Sequence, residues 1–188
     1  MNKVLLSIGA VALAGSTMAQ SPQLSLGVDL ALPLGDFGDS YSLGVGPAVG
    51  FELPVGDNLG VIAQVSYDFL MAKSDVSDFI KSASMLPAQL GLKFYFSEQQ
   101  AGAYAQGLVG IHSTSVTTED LTILGITIPG ETFSSSNFSW AIGAGYQMEK
   151  LDIGLRYNSI SPDSDAGDDA KASSYIGLRV AYLLPLGD

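Results

Sequence analysis

The chain has 188 residues, with 8 Lys and Arg against 19 Asp and Glu, a net charge of −11 and no cysteine. Such a balance excludes a nucleic-acid or anionic-surface binder, which needs a basic patch, and the absent cysteine excludes disulfides and a lipid-anchored N-terminal cysteine. Charged residues make up 14% and apolar ones 47%, unlike the roughly 25% charged content of an average soluble domain.

Residues 1–19 read as a secretory signal peptide, with Lys3 as the positive start, Val4 to Ala14 as the apolar core and Thr17-Met18-Ala19 as the cleavage site. The apolar run is about 11 residues, whereas a membrane-spanning helix needs roughly 20. Cleavage leaves 20–188 as one domain, more acidic by the loss of Lys3. No later segment is long and apolar enough for a membrane helix.

Strands are expected at 23–34, 41–54, 59–72, 85–96, 102–115, 136–148, 150–159 and 173–184. Leu24 to Leu30 reads Leu-Ser-Leu-Gly-Val-Asp-Leu. In the last segment Ile176, Leu178, Val180, Tyr182 and Leu184 share one face, and Gly177, Arg179 and Ala181 the other. Connections after the second, fourth and sixth segments are short. Those after the first, third, fifth and seventh are longer: 35–40, 73–84, 116–135 and 160–172. Short periplasmic turns alternating with longer external loops mark an outer-membrane barrel with both termini periplasmic.

A secreted soluble barrel also alternates with period two, but it would load its polar face with charge. Here that face is mostly Gly, Ser, Ala and Gln. An apolar face turned outward leaves a narrow interior, where Gly145, Gly154, Gly177 and other glycines make room for Tyr95, Tyr104 and Tyr175. The outward register collects Tyr41, Tyr67, Phe69, Phe138, Trp140 and Tyr157 near the external strand ends, and Phe51, Phe94, Phe96, Tyr146 and Tyr182 near the periplasmic ends. These are two aromatic belts. Pro47 cannot donate a ladder hydrogen bond, so a bulge is expected there, one that could flip the register of Ser42 to Gly46. The fold class is all-β: an eight-stranded antiparallel up-and-down transmembrane β-barrel.

Tyr175-x-Gly177-x-x-Val180-x-Tyr182 resembles the final-strand assembly signal read by the barrel assembly machinery. With the alternating strands, 20–188 resembles the small eight-stranded outer-membrane barrel family: OmpA-type and OmpX-type barrels and their opacity-protein relatives. Such families end on the aromatic residue, whereas Leu183 to Asp188 follow Tyr182 here. The expectation is a barrel without an appended periplasmic domain. The resemblance implies the outer membrane of a Gram-negative bacterium, with the assembly machinery as a partner.

Inward register gathers seven charges: Asp29, Glu52, Asp68 and Asp152 against Lys93, Arg156 and Arg179. An unpaired charge in a narrow interior is costly, so a paired network is expected, with Asp29 and Arg179 joined across the closing seam and Arg156 and Asp68 nearby. His112, the single histidine, is followed by Ser113, Thr114 and Ser115. A lipid A-modifying hydrolase would pair it with a Ser nucleophile and an acid such as Asp68. Strand neighbours point to opposite faces and no nucleophile elbow exists, so a hydrogen-bonded structural histidine is the reading, and no enzyme activity is expected.

The external loops carry Asp36, Asp39, Asp75, Asp78, Glu119, Asp120, Glu131, Asp163, Asp165, Asp168 and Asp169 against Lys73, Lys81 and Lys171. Asp163 to Asp169 follows the outline of a calcium loop, but its glycine comes one position early and the distal Glu is missing. A solvated acidic surface is therefore expected, with weak cation bridging to lipopolysaccharide phosphates as the alternative, and with no cofactor and no dedicated metal site. Leu121 to Ile128 reads either as a hairpin extending the barrel, whose apolar edge would mark a contact surface, or as a segment packed over the mouth. The function that follows is a structural, adhesion or interaction role through acidic loops. Its partners are outer-membrane lipid and lipopolysaccharide, and an external protein is the remaining candidate. A narrow pore for small or apolar solutes and a lipid A-modifying enzyme are the alternatives.

Overall fold

Alternating segments pair with their sequence neighbours until the sheet meets itself. The computed structural model describes residues 21–97, 100–123, 126–162 and 171–187, so the segment expected to be a signal peptide, 1–19, and the calcium-like segment 163–169 lie outside the described residues. In chain order the elements are β1 (Gln23–Leu34), α1 (Gly35–Ser40), β2 (Tyr41–Pro54), β3 (Leu59–Ser66), β4 (Asp68–Ala72), α2 (Ser74–Ser77), β5 (Ile80–Tyr95), β6 (Gly102–Thr118), β7 (Leu121–Ile123), β8 (Ile126–Ile128), β9 (Thr132–Gln147), β10 (Leu151–Ile160) and β11 (Ser173–Pro185). β3 and β4 are two parts of one barrel strand, each pairing with β2 and β5. The circuit runs β1, β2, β3/β4, β5, β6, β9, β10, β11 and returns to β1, antiparallel throughout. The closing seam runs from Gln23↔Pro185 to Leu34↔Ser174. A closed sheet has no free edge, which is what a strand structure in lipid requires.

The wall is apolar outside. Leu26, Val28, Val49, Val65, Leu90, Leu92, Val109, Ile142, Leu155 and Val180 are all exposed, each alternating with an inward neighbour. Tyr67, Phe69, Phe138, Trp140 and Tyr157 are exposed toward the end away from the termini (the far end), and Phe51, Phe94, Phe96, Tyr146 and Tyr182 toward the terminus end. Tyr41 departs from the expected belt. It is buried inside the mouth, its ring edge-on to Phe37 of α1 at 5.3 Å.

Tyr41 is explained by where the register breaks. Across Pro47 the β2 register is continuous, from Ala48↔Ser66 to Val45↔Phe69. The bulge expected at Pro47 is absent, and the ladder loses only one bond there. Tyr67 N–H donates to Pro47 O at 3.1 Å, and Pro47 has no N–H to return. The irregularity lies between Tyr41 and Leu43 instead, which turns Tyr41 inward.

Three strands run further at the far end than expected: β5 starts at Ile80, β6 ends at Thr118 and β9 starts at Thr132. The outward residues there are hydroxyls, joined in rungs as Ser113–Ser136 (2.7 Å), Ser115–Ser134 (2.8 Å) and Thr117–Thr132 (3.0 Å). The ladder continues above the aromatic belt while the apolar face stops, so the alternation that announces a strand is missing. The β6–β9 hairpin thus projects beyond the apolar band, and β7 and β8 form a separate two-stranded sheet at its tip.

Candidate functional site: the barrel interior and its far mouth

Inward side chains stack in layers. Nearest the termini, Lys93 Nζ donates to Asp152 Oδ2 (2.6 Å), Gln147 Oε1 (2.7 Å) and Glu52 Oε2 (3.2 Å), using all three ammonium hydrogens. The Tyr104 ring lies 4.0 Å from the same ammonium and the Tyr95 ring 5.1 Å, adding cation–π attraction. Each carboxylate has a second donor: the Tyr95 hydroxyl reaches Glu52 Oε1 and the Tyr104 hydroxyl Asp152 Oδ1, both at 2.6 Å. Gly145 and Gly154 face each other across β9 and β10. A Cβ on Gly154 would stand 2.6 Å from the Tyr104 hydroxyl oxygen. Those two glycines hold the space Tyr104 needs to reach Asp152.

One layer further in, Asp29 and Arg179 are direct partners across the closing seam, with Arg179 Nε 3.7 Å from Asp29 Oδ1. Arg156 donates to Asp29 Oδ2 at 2.8 Å and to Gln64 Oε1. Asp68, on β4, accepts from Ser66 Oγ at 3.0 Å. Both Nη atoms of Arg179, Nε of Arg156, Oδ1 of Asp68 and both amide atoms of Asn158 are buried without a hydrogen-bond partner among the described residues. Ile62, Leu108 and Ala141 form an apolar patch within the same interior.

Toward the far end His112, fully buried, sits with Nε2 2.7 Å from the Tyr175 hydroxyl. Ser113 faces outward and bonds Ser136. Above them an apolar cluster of Ala31, Tyr41, Leu70, Ala83, Met85, Ile160 and Tyr175 fills the mouth, flanked by Phe37, Ile80 and Val116. At the terminus end a cavity of about 10 Å³ between Glu52, Gln64, Lys93 and Asp152 is about the room one water needs.

Of the sequence candidates, the structure gathers Glu52, Lys93 and Asp152 into one layer and Asp29, Arg156 and Arg179 into the next. Asp68 is held by Ser66. In β11 Tyr175 and Gly177 point inward and Val180 and Tyr182 outward. Sequence reading missed Gln64, Gln147 and the phenol hydroxyls as partners of the charges, although their shared inward register was a usable signal.

Beyond the mouth, one bond ties Phe79 to the end of β6, and two more join 118–120 to 130–131. Glu119 N–H donates to Phe79 O (3.0 Å), Gly130 N–H to Asp120 Oδ1 (2.8 Å) and Glu131 N–H to Thr118 Oγ1 (3.0 Å). A cleft of about 450 Å³ opens between them, with Asp78, Glu119, Asp120 and Glu131 as its carboxylates and Phe79, Ile128 and Phe133 as its apolar walls.

Comparison with known proteins gives the same architecture. Ail, the attachment invasion locus protein of Yersinia pestis, superposes with a TM-score of 0.58 at 16% identity, covering 88% of this chain and 99% of Ail. The N-terminal β-barrel domain of Pseudomonas aeruginosa OprF gives 0.55 at 11% identity, covering 88% and 98%. Neisserial surface protein A gives 0.54 at 14% identity, covering 88% and 97%. No curated protein matches in sequence. The family model described as the outer membrane protein beta-barrel domain matches residues 4–183. The chain therefore belongs to the outer-membrane β-barrel family and resides in the outer membrane of a Gram-negative bacterium.

Proposed function

We propose that the protein is a membrane-anchored interaction module, neither a pore nor an enzyme: a rigid, filled barrel that holds the β6–β9 hairpin and its acidic loops outside the cell. The filled interior carries this reading. Two polar layers and the apolar cluster of Tyr41, Leu70, Met85 and Ile160 stand in series across the axis, and side chains fill a barrel this narrow. His112 supports the same reading. Its partner is a tyrosine hydroxyl, and the adjacent Ser113 is on the outer face, so the pair lacks the nucleophile–base contact that acyl chemistry needs. Ail has been solved with the heparin analogue sucrose octasulfate. A polyanion of that kind suits a basic surface, whereas the described far-end loops here carry mostly carboxylates.

The β11 residues Tyr175, Gly177, Val180 and Tyr182 serve assembly, and the apolar band and belts contact lipid and lipopolysaccharide. The test uses purified protein in planar bilayers and whole cells displaying it. Wild type should give no discrete current, and replacing 119–131 by a short Gly-Ser turn should abolish binding of cells to a protein-coated surface. Stepwise conductance, or acyl release from lipid A lost on His112→Ala, would overturn the reading.

A further inference from the structure

We propose that the cleft lined by residues 78–79, 118–120, 128–131 and 133 docks a cationic peptide segment with interspersed apolar side chains, presented by an external protein. This deepens the interaction reading above and rests on it. The first argument is the placement of apolar groups. Phe79, Ile128 and Phe133 are 66%, 54% and 58% exposed, yet they lie beyond the hydroxyl rungs Ser113–Ser136 and Ser115–Ser134. The lipid-facing band has ended there, so lipid does not explain them. Large apolar groups clustered in water mark a contact surface.

The second argument is charge. Among the described residues, Asp78, Glu119, Asp120 and Glu131 have no basic group within 4 Å, and the one external ion pair, Lys171–Asp36, lies elsewhere. Carboxylates around an apolar-walled cleft focus a negative potential that attracts cations. Lipopolysaccharide phosphates would be repelled, and so would a second copy of this acidic mouth. A bare divalent ion would leave the aromatic walls without a role. A Lys or Arg side chain uses both features, laying its aliphatic stem on Phe79 or Phe133 and its charged head among the carboxylates. The volume of about 450 Å³ falls within the range that takes ligand-sized groups, roughly 300–1,000 Å³. The loop ties from Glu119 to Phe79 and from Gly130 to Asp120 hold the cleft open before anything enters it, which lowers the ordering cost of binding.

The experiment places the full barrel in phosphatidylcholine nanodiscs and follows the anisotropy of a labelled short peptide of alternating Lys and Leu, with protein-free nanodiscs subtracted. A Lys–Ser peptide of equal charge and a Glu–Leu peptide serve as comparisons. The Lys–Leu peptide should bind saturably and more tightly than the other two. Asp78→Asn with Glu119→Gln and Glu131→Gln should weaken it roughly tenfold or more, as should Phe79→Ser with Phe133→Ser. Asp120 is left intact because it holds Gly130. Asp36→Asn with Asp39→Asn lowers the negative charge outside the cleft and should leave affinity unchanged. Retained heat-modifiable migration on gels shows that each variant is folded. Equal affinity for the Lys–Ser peptide, an equal loss in the Asp36/Asp39 variant, or no binding by wild type would each overturn the proposal. So would saturable Ca²⁺ binding lost in the charge variant without peptide binding. Should the peptide fail while exchange of 119–131 still abolishes cell binding, the cleft assignment falls and the interaction reading stands.

Discussion

The two charged layers of the interior solve one problem with different completeness. Around Lys93 every charged atom has a close donor or acceptor, and two aromatic rings cover the ammonium. Around Asp29 two guanidiniums compete for one carboxylate. Arg156 makes the 2.8 Å contact, Arg179 approaches only to 3.7 Å, and several buried N–H groups find no partner among the described residues. Both layers are removed from water, so the contrast shows that pairing alone does not measure what a buried charge contributes. The geometry of the remaining hydrogen bonds decides whether the desolvation cost is recovered. The Lys93 layer behaves as a lock, and the Arg179 side of the second layer as a tolerated surplus.

The largest expected effect tests the lock. Lys93→Met leaves Glu52 and Asp152 buried without their cation and should cost about 3–5 kcal/mol, read as the urea midpoint for unfolding from lipid vesicles. A loss no greater than that of an Arg179 variant would break the contrast. Leu155→Arg, on the lipid face of the strand that carries Arg156, supplies a yardstick from the outer wall. Near the bilayer midplane it should cost about 2–4 kcal/mol, and an unchanged midpoint would invert the inside–outside assignment. In the second layer Arg156→Met should cost about 1.5–3 kcal/mol, the scale of a hydrogen bond to a charged group.

Gly154→Ala probes how the lock is built. The added methyl would meet the Tyr104 hydroxyl and push it off Asp152, with an overpacking cost of about 1–3 kcal/mol. Combining it with Tyr104→Phe should give less than the sum of the two, because both remove the same contact. Full additivity would show that Gly154 acts without Tyr104.

The alternation made much of this legible beforehand. Period two assigned the inward faces, and with them the seven charges and the three interior tyrosines. Barrel closure puts the last strand beside the first, and the mid-strand positions of Asp29 and Arg179 put them near each other; the observed register makes them direct partners. Which guanidinium comes closest is another matter. It depends on how long side chains cross a narrow interior, and a linear pattern does not encode that distance. Tyr41 was misread because an irregularity between Tyr41 and Leu43 reverses its face, while the conspicuous Pro47 is absorbed as a single missing bond. The projecting ends of β5, β6 and β9 went unread for a related reason. Where both faces of a strand are exposed, as at Thr132, Phe133 and Ser134, no apolar period remains, and only the backbone ladder reveals the strand.

The smallest expected effect is the most discriminating. Arg179 keeps both Nη atoms buried without a protein acceptor among the described residues, and the one carboxylate within 4 Å of it, Asp29, is already held by Arg156. Replacing it with Met removes unsatisfied donors and preserves much of the side-chain volume. The expected change in unfolding free energy is therefore near zero, between a gain and a loss of about 1 kcal/mol. The double-mutant cycle makes the comparison quantitative. Asp29 with Arg156 should show a coupling energy well above that of Asp29 with Arg179, although only the latter pair faces itself across the seam. Equal couplings would mean that the two guanidiniums share Asp29 evenly. A larger coupling to Arg179 would make the seam pair the principal contact, and the second layer would then be a lock of the same kind as the first.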